Sequence, residues 1–196
     1  MKDFLKYQLL RLKYFFRIRK SRGFGIHSPF VFHLVTHVIK SKCLFYVFDL
    51  LEDEFKKYDL RDVKYAKIMY RIVTELNIRS VFCISPEFKC DNLIFEKDVC
   101  KYDFHTNLED IKHDTDDYKI IYADESVVEE LMDKAYIKAL KTGKTIIVVR
   151  EMYRNDKILN AYRVLKEESN MSIDMFYRGL LFFDEKLQNG AYSIKV

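Results

Sequence analysis

The residues able to do chemistry gather in few places. The stretch 77–90, NIRSVFCISPEFKC, carries at 80–84 an apolar run, SVFCI, that reads as a buried strand. In an α/β domain the turn after such a first core strand normally holds a nucleotide. Glycines there let backbone N–H groups close on the ligand. Here the turn offers the side chains of Ser85 and Glu87 but no glycine. Pro86 removes one donor, and Phe88 is bulky where close approach is needed. No glycine occurs anywhere between Gly25 and Gly143, which excludes a glycine-lined phosphate cradle over that interval.

Two smaller constellations stand apart from the turn. His33 and His37 share a helical face at i, i+4, a spacing that can bind a metal. No acid or cysteine accompanies them, so they read as polar surface residues and no metal site is expected. Tyr102, Asp103 and His105 form a polar cluster that reads as a solvated loop. There is no HExxH, P-loop, zinc pattern or Ser-His-Asp constellation to support hydrolase or NTPase chemistry.

These residues must be positioned by one core, since 196 residues that are 49% hydrophobic and 15% aromatic make a globular domain. The net charge of +4 is uneven. Residues 1–22 hold eight Lys/Arg against Asp3, a balance of +7, leaving 26 basic and 29 acidic residues, −3, in the rest. A mildly acidic body argues against nucleic acid and places any anionic partner at the N-terminus. Four cysteines without a CxxC pair read as reduced thiols in a cytoplasmic protein. The start of the chain has no uninterrupted apolar core of the signal-peptide kind, and no run approaches a transmembrane span.

Residues 1–20 read as a basic amphipathic helix with Leu5, Leu9, Leu12 and Phe16 on its apolar stripe. Docking of that stripe on this domain or on a second copy is the favoured reading, with an arm on an anionic membrane surface as the alternative. Arg22-Gly23-Phe24-Gly25 breaks the helix. Ser28 then caps a new one that begins at Pro29 and runs to about residue 39. Helical stretches follow at 43–57 and 65–76. A short strand is expected near 99–104, then an acidic loop. A strand at 118–123 ends at Asp124. A helix covers 127–140, with a glycine stop at Gly143, and a strand covers 145–149. A helix capped by Asn155 covers 156–168. Strands at 172–176, 180–183 and 191–196 are separated by Arg178-Gly179 and by the hairpin-type turn Asn189-Gly190. The expected fold is α/β: a mainly parallel sheet with antiparallel C-terminal edge strands. An N-terminal helical extension, 1–60, would pack on a core domain, 61–196.

The GIHSPFVF element at 25–32 and the SIDMFYRGLLFF tail at 172–183 resemble those of class I S-adenosylmethionine-dependent methyltransferase-like proteins, and the likeness runs along nearly the whole chain. The resemblance implies a Rossmann-like, seven-stranded sheet with its last strand inserted antiparallel, and a cofactor at the carboxyl ends of the first strands. It places Ser85 and Glu87 in the cofactor turn, Asp103 as the acid for the ribose after the second strand, and Asp124 as the acid ending the fourth. The departures fall on these positions. The turn lacks its glycines, Glu125-Ser126-Val127 replaces the residues that follow the fourth strand's acid, and Arg150-Glu151 replaces a pair of metal-binding aspartates. Methyl transfer depends on positioning, so a lost cradle weighs more than a lost side chain. The expectation is a degenerate, non-catalytic relative acting through binding, with no cofactor. An active enzyme would use S-adenosylmethionine, and the remaining alternative is a scaffold or membrane-surface protein using its basic helix.

Overall fold

The apolar β-branched runs become the centre of one sheet. In the computed structural model, residues 2–17, 26–83, 85–98, 102–105, 117–142 and 144–196 are described. Among the described residues seven strands form in chain order: β1 (Ser80–Cys83), β2 (Asp103–His105), β3 (Lys119–Ala123), β4 (Thr145–Arg150), β5 (Met171–Asp174), β6 (Arg178–Phe183) and β7 (Gly190–Ser193). Their spatial order is β2-β1-β3-β4-β6-β5-β7. As expected from their composition, β1, β3 and β4 are adjacent and parallel. The result is an α/β, mostly parallel sheet with helices on both faces, an arrangement compatible with a Rossmann-like fold.

The end of the sheet corrects the sequence reading. The antiparallel strand is not at an edge: β6 is inserted between β4 and β5, antiparallel to both. The last strand, β7, forms the edge and runs parallel to β5. Asn189-Gly190 therefore does not close a hairpin, because β6 and β7 are not neighbours. Arg178-Gly179 is not a separator either, since both residues lie inside β6, which is buried along its whole length.

Alternation along the strands divides the interior in two. Val81, Tyr122, Ile146, Val148, Leu180 and Phe182 face one core. That core is shared with α5 (Leu60–Glu75), α6 (Lys89–Lys97) and apolar residues between Val31 and Phe55. Phe82, Ile121, Ile147, Val149, Leu181 and Phe183 face the other. It is covered by α7 (Glu125–Leu131) and α9 (Asp156–Glu168), with Leu140 of the intervening helix α8 (Lys134–Thr142). The expected helix at 127–140 is thus two helices. Gly179 in β6 allows the second core to close: a Cβ there would lie 2.6 Å from Tyr162 Cε2 and 2.8 Å from Met152 Cε. Gly179→Ala is expected to lower stability by about 1–3 kcal/mol through overpacking, read from its urea midpoint. An unchanged midpoint would mean that Met152 and Tyr162 move aside freely.

Ser28 caps the helix Pro29–His33 as read, its hydroxyl accepting from the Val31 N–H at 3.4 Å. The chain then continues as a π-helical turn, Leu34–Ile39. His33 and His37 stack with ring centroids 5.0 Å apart, and His33 meets the Glu75 carboxylate at 2.7 Å. Asn155 caps the following helix, its side chain accepting from the Ile158 N–H at 2.9 Å. The expected break at 22–25, the acidic loop after β2 and the Gly143 stop lie outside the described residues.

The N-terminal helix α1 (Lys2–Arg17) docks, but by the opposite face from the one expected. Leu5, Leu9 and Leu12 are 57–58% exposed. The side chain of Phe16 lies outside the described residues. Contact is made instead by Tyr7 and Tyr14, whose rings sit 5.4 and 5.0 Å from that of Phe176. The Tyr14 hydroxyl donates to the carbonyl of Ile194 at 3.1 Å and also to that of Asp174. Lys6 pairs with Asp156. Tyrosine serves as an anchor here because its ring buries while its hydroxyl supplies a donor to the Ile194 carbonyl, which leucine cannot do.

Candidate functional site

The carboxyl ends of β1, β3 and β4 form one rim, and β6 begins there because it runs the other way. Chain order reverses between β1 and β3, which makes that gap the topological switch point where open α/β sheets take ligands. Two of the four residues nominated from sequence meet there. Ser85 is buried and its hydroxyl accepts from the Glu87 N–H at 3.1 Å, capping the single turn Pro86–Phe88. Asp124 takes a hydrogen bond from Ser85 and caps α7 by accepting from the N–H groups of Ser126 at 3.0 Å and Val127 at 3.1 Å. Burial alone would raise the Asp124 carboxyl. The bonds from Ser85, Val127 and Ser126 outweigh burial and hold it below the usual carboxylate range.

The other two lie elsewhere. Glu87 points outward and meets Arg154 at 3.5 Å. Asp103 is exposed at the amino end of β2, opposite Ser80, so it sits at the far end of the sheet from Ser85 and Asp124. The cluster Tyr102, Asp103 and His105 is dispersed. Tyr102 is buried within 3.2 Å of the Thr74 hydroxyl, and His105 stacks on Phe82.

The rim is organised by charges of which the sequence reading singled out only Arg150. Arg178 at the start of β6 and Asp91 in α6 are both 1% exposed and form a two-pronged pair, with Arg178 Nη2 2.6 Å from Asp91 Oδ2. Burial works against the guanidinium charge, yet the Asp91 carboxylate outweighs it and keeps Arg178 above its ordinary range. Arg178 also lies 5.4 Å from the centre of the Phe88 ring. Phe88 is buried against Tyr122, with centroids 5.0 Å apart. Arg150 ends β4 and ties three elements together. It donates to the Glu87 carbonyl, to Asp62 at 3.2 Å and to the Tyr177 hydroxyl at 2.8 Å. Asp62 in turn accepts from Tyr177 at 2.8 Å. A polar cavity of about 300 Å³ remains outside this knot, lined by Tyr58, Asp62, Glu87, Lys89 and Arg150 among others.

The residues present do not match what an adenosylated amino acid requires. The turn after β1 is spanned by an arginine rather than left open, its interior is taken by Phe88, and Asp124 is committed to a helix cap. Arg150 also supplies a cation where the resemblance expects an aspartate for a metal. Among the described residues no group of three His, Cys, Asp or Glu could hold a metal ion. No described helix is long and apolar enough to cross a membrane. Comparison with family models, with curated proteins and with solved structures finds no match to this chain.

Proposed function

We propose that this chain is a methyltransferase-like protein that has lost cofactor binding and methyl transfer and acts through binding. The observation that supports the reading is the set of side chains filling the switch point. Phe88, the Arg178–Asp91 pair and Arg150 on the Glu87 carbonyl occupy the region against which the cofactor's amino-acid end would rest. Opening it requires separating a buried ion pair from its partners, which is strongly unfavourable. A thermal melt with S-adenosylhomocysteine tests this. A ligand present at about a hundredfold excess over its Kd stabilises by about 2.7 kcal/mol and raises the melting temperature by several degrees. No rise is expected here, and a clear rise would return the chain to the enzymes.

The outward face of α1 favours a second reading, attachment to an anionic lipid surface. Leu5, Leu9 and Leu12 point away from the face that docks through Tyr7 and Tyr14, and Lys13 is exposed beside them. A segment carrying +7 repels a second copy of itself and attracts anionic headgroups. Vesicles rich in phosphatidylserine are expected to sediment the protein, while neutral phosphatidylcholine vesicles leave it in solution. Leu9→Asp with Leu12→Asp should abolish the sedimentation, and equal binding to both vesicle types would remove this reading.

A further inference from the structure

A second cavity, of about 420 Å³, lies between α1, the first turns of α5 and the β5–β6 turn. It is separate from the switch point and falls within the size range of small-molecule sites. Its walls combine two features that seldom coincide by packing alone. One is aromatic: Tyr7, Tyr14 and Phe176 from one side, Tyr65 and Tyr177 from the other, the last two with centroids 5.2 Å apart. The other is cationic, with Arg11, Arg61 and Lys64 on the lining.

These cations are not used up by the protein. Among the described residues the only side-chain carboxylate in ion-pair contact with any of the three is Asp59, at 3.9 Å from Arg61. The Arg61 guanidinium instead lies over the Tyr177 ring, 4.1 Å from its centre. Glu151 adds some opposing charge, since it raises the neighbouring Tyr7 phenol after the larger effect of burial. The first turns of α5 supply Arg61 and Lys64 to the same cavity, and its amino end is capped by Asp59, whose carboxylate accepts from the Arg61 N–H at 2.7 Å.

The backbone also points to the cavity. Phe176 has φ 68°, a left-handed conformation that a bulky side chain rarely adopts. It is held by its own N–H donating to Asp174 Oδ1 at 2.7 Å. The strain sets the Phe176 ring between Tyr7, Tyr14 and Tyr153, which forms the aromatic wall.

The geometry points to this cavity as a binding site for a small anion bearing a planar ring, of the nucleoside monophosphate or aromatic carboxylate type. The ring lies against the tyrosine and phenylalanine faces, and the anion is held by Arg11, Arg61 and Lys64 at the start of α5. The inference rests on the reading that the chain works by binding, and it gives that binding a ligand class.

Calorimetric titration of the full chain with adenosine 5′-monophosphate and with 4-hydroxybenzoate tests it, with adenosine and inorganic phosphate as partial ligands. At least one of the two ring-bearing anions is expected to bind, and which one does separates phosphate from carboxylate. The corresponding partial ligand should bind at least tenfold more weakly. Arg61→Gln with Lys64→Gln, two solvent-facing changes, should weaken the anion at least tenfold while circular dichroism stays unchanged. Absence of binding by both anions, equal binding of adenosine and its monophosphate, or indifference to the double substitution would overturn the site. Failure of the broader reading looks different: S-adenosylhomocysteine would bind, and the Arg61/Lys64 variant would bind it as the parent does.

Discussion

Arg178→Met is expected to be among the most destabilising single changes in this chain, lowering the unfolding free energy by about 3–5 kcal/mol. The methionine fills much of the same space, so packing loss is small. What remains is the Asp91 carboxylate, 1% exposed, with its paired cation gone. Asp91 must then stay charged without a partner or take up a proton, and either route favours the unfolded state. Urea denaturation reads the loss directly. The double variant Asp91→Leu with Arg178→Met should recover most of it, because an apolar pair of similar volume needs no compensation. If Arg178→Met alone leaves the midpoint unchanged, the pair is not what closes the rim.

Stability should also fall steeply at alkaline pH. Burial, the largest cause in each case, pushes Tyr65 and Tyr177 up to about 12, against partial opposition from Arg178 for the first and Arg150 for the second. Burial raises Tyr14, Tyr118, Tyr122 and Tyr153 as well. In the unfolded chain these phenols ionise near their ordinary value of about 10. Above that pH the folded state holds protons that the unfolded state has lost, so unfolding becomes progressively easier. The contribution is complete below about pH 10 and disappears as pH rises through about 12. Unfolding midpoints at about pH 9 and about pH 11 should differ by several kcal/mol in stability. The tyrosinate absorbance of these six phenols should appear together with unfolding rather than before it. Ionisation of all fourteen tyrosines in a protein that keeps its fold would contradict the burial of these residues.

The fold was far more legible in the sequence than the rim. Runs such as TIIVV and YKIIYA are dominated by β-branched and aromatic residues that suit a buried parallel strand, so local composition settles them. Ser28-Pro29 and Asn155 were legible because a cap is made within three residues of its helix. The order of the last strands was not. Asn189-Gly190 has hairpin chemistry, yet β7 pairs with β5, a choice made by the edge that β5 leaves open. The rim was hidden for a related reason. Arg178 meets Asp91, 87 residues earlier, and Arg150 meets Asp62, 88 residues earlier. In the sequence Asp62 and Asp91 look like surface charges, Arg150 shows only as the replacement of a metal ligand, and Arg178-Gly179 looks like a turn. The one available signal was an arginine next to glycine inside an otherwise unbroken apolar tail.

The α1 helix shows a different limit. Its leucine stripe has the periodicity of a buried face, and its tyrosines look like the border. The assignment reverses because the surface beneath it, at the end of β5 and in the β5–β6 turn, presents backbone carbonyls and the Phe176 ring. A phenol satisfies both, whereas a leucine would leave the Ile194 carbonyl without its donor. Periodicity alone reports that a helix has an apolar face, and the chemistry of the receiving surface decides which face docks.

The most direct test of the account is a calorimetric titration of the intact protein with S-adenosylmethionine and S-adenosylhomocysteine, run beside an Asp124→Ala variant. With Phe88, Arg178–Asp91 and Arg150 filling the switch point, neither compound is expected to give a binding isotherm, for the parent or the variant. A micromolar dissociation constant for either one, lost on Asp124→Ala, would contradict the account, because it would require the turn after β1 to open and Asp124 to leave its cap for the cofactor.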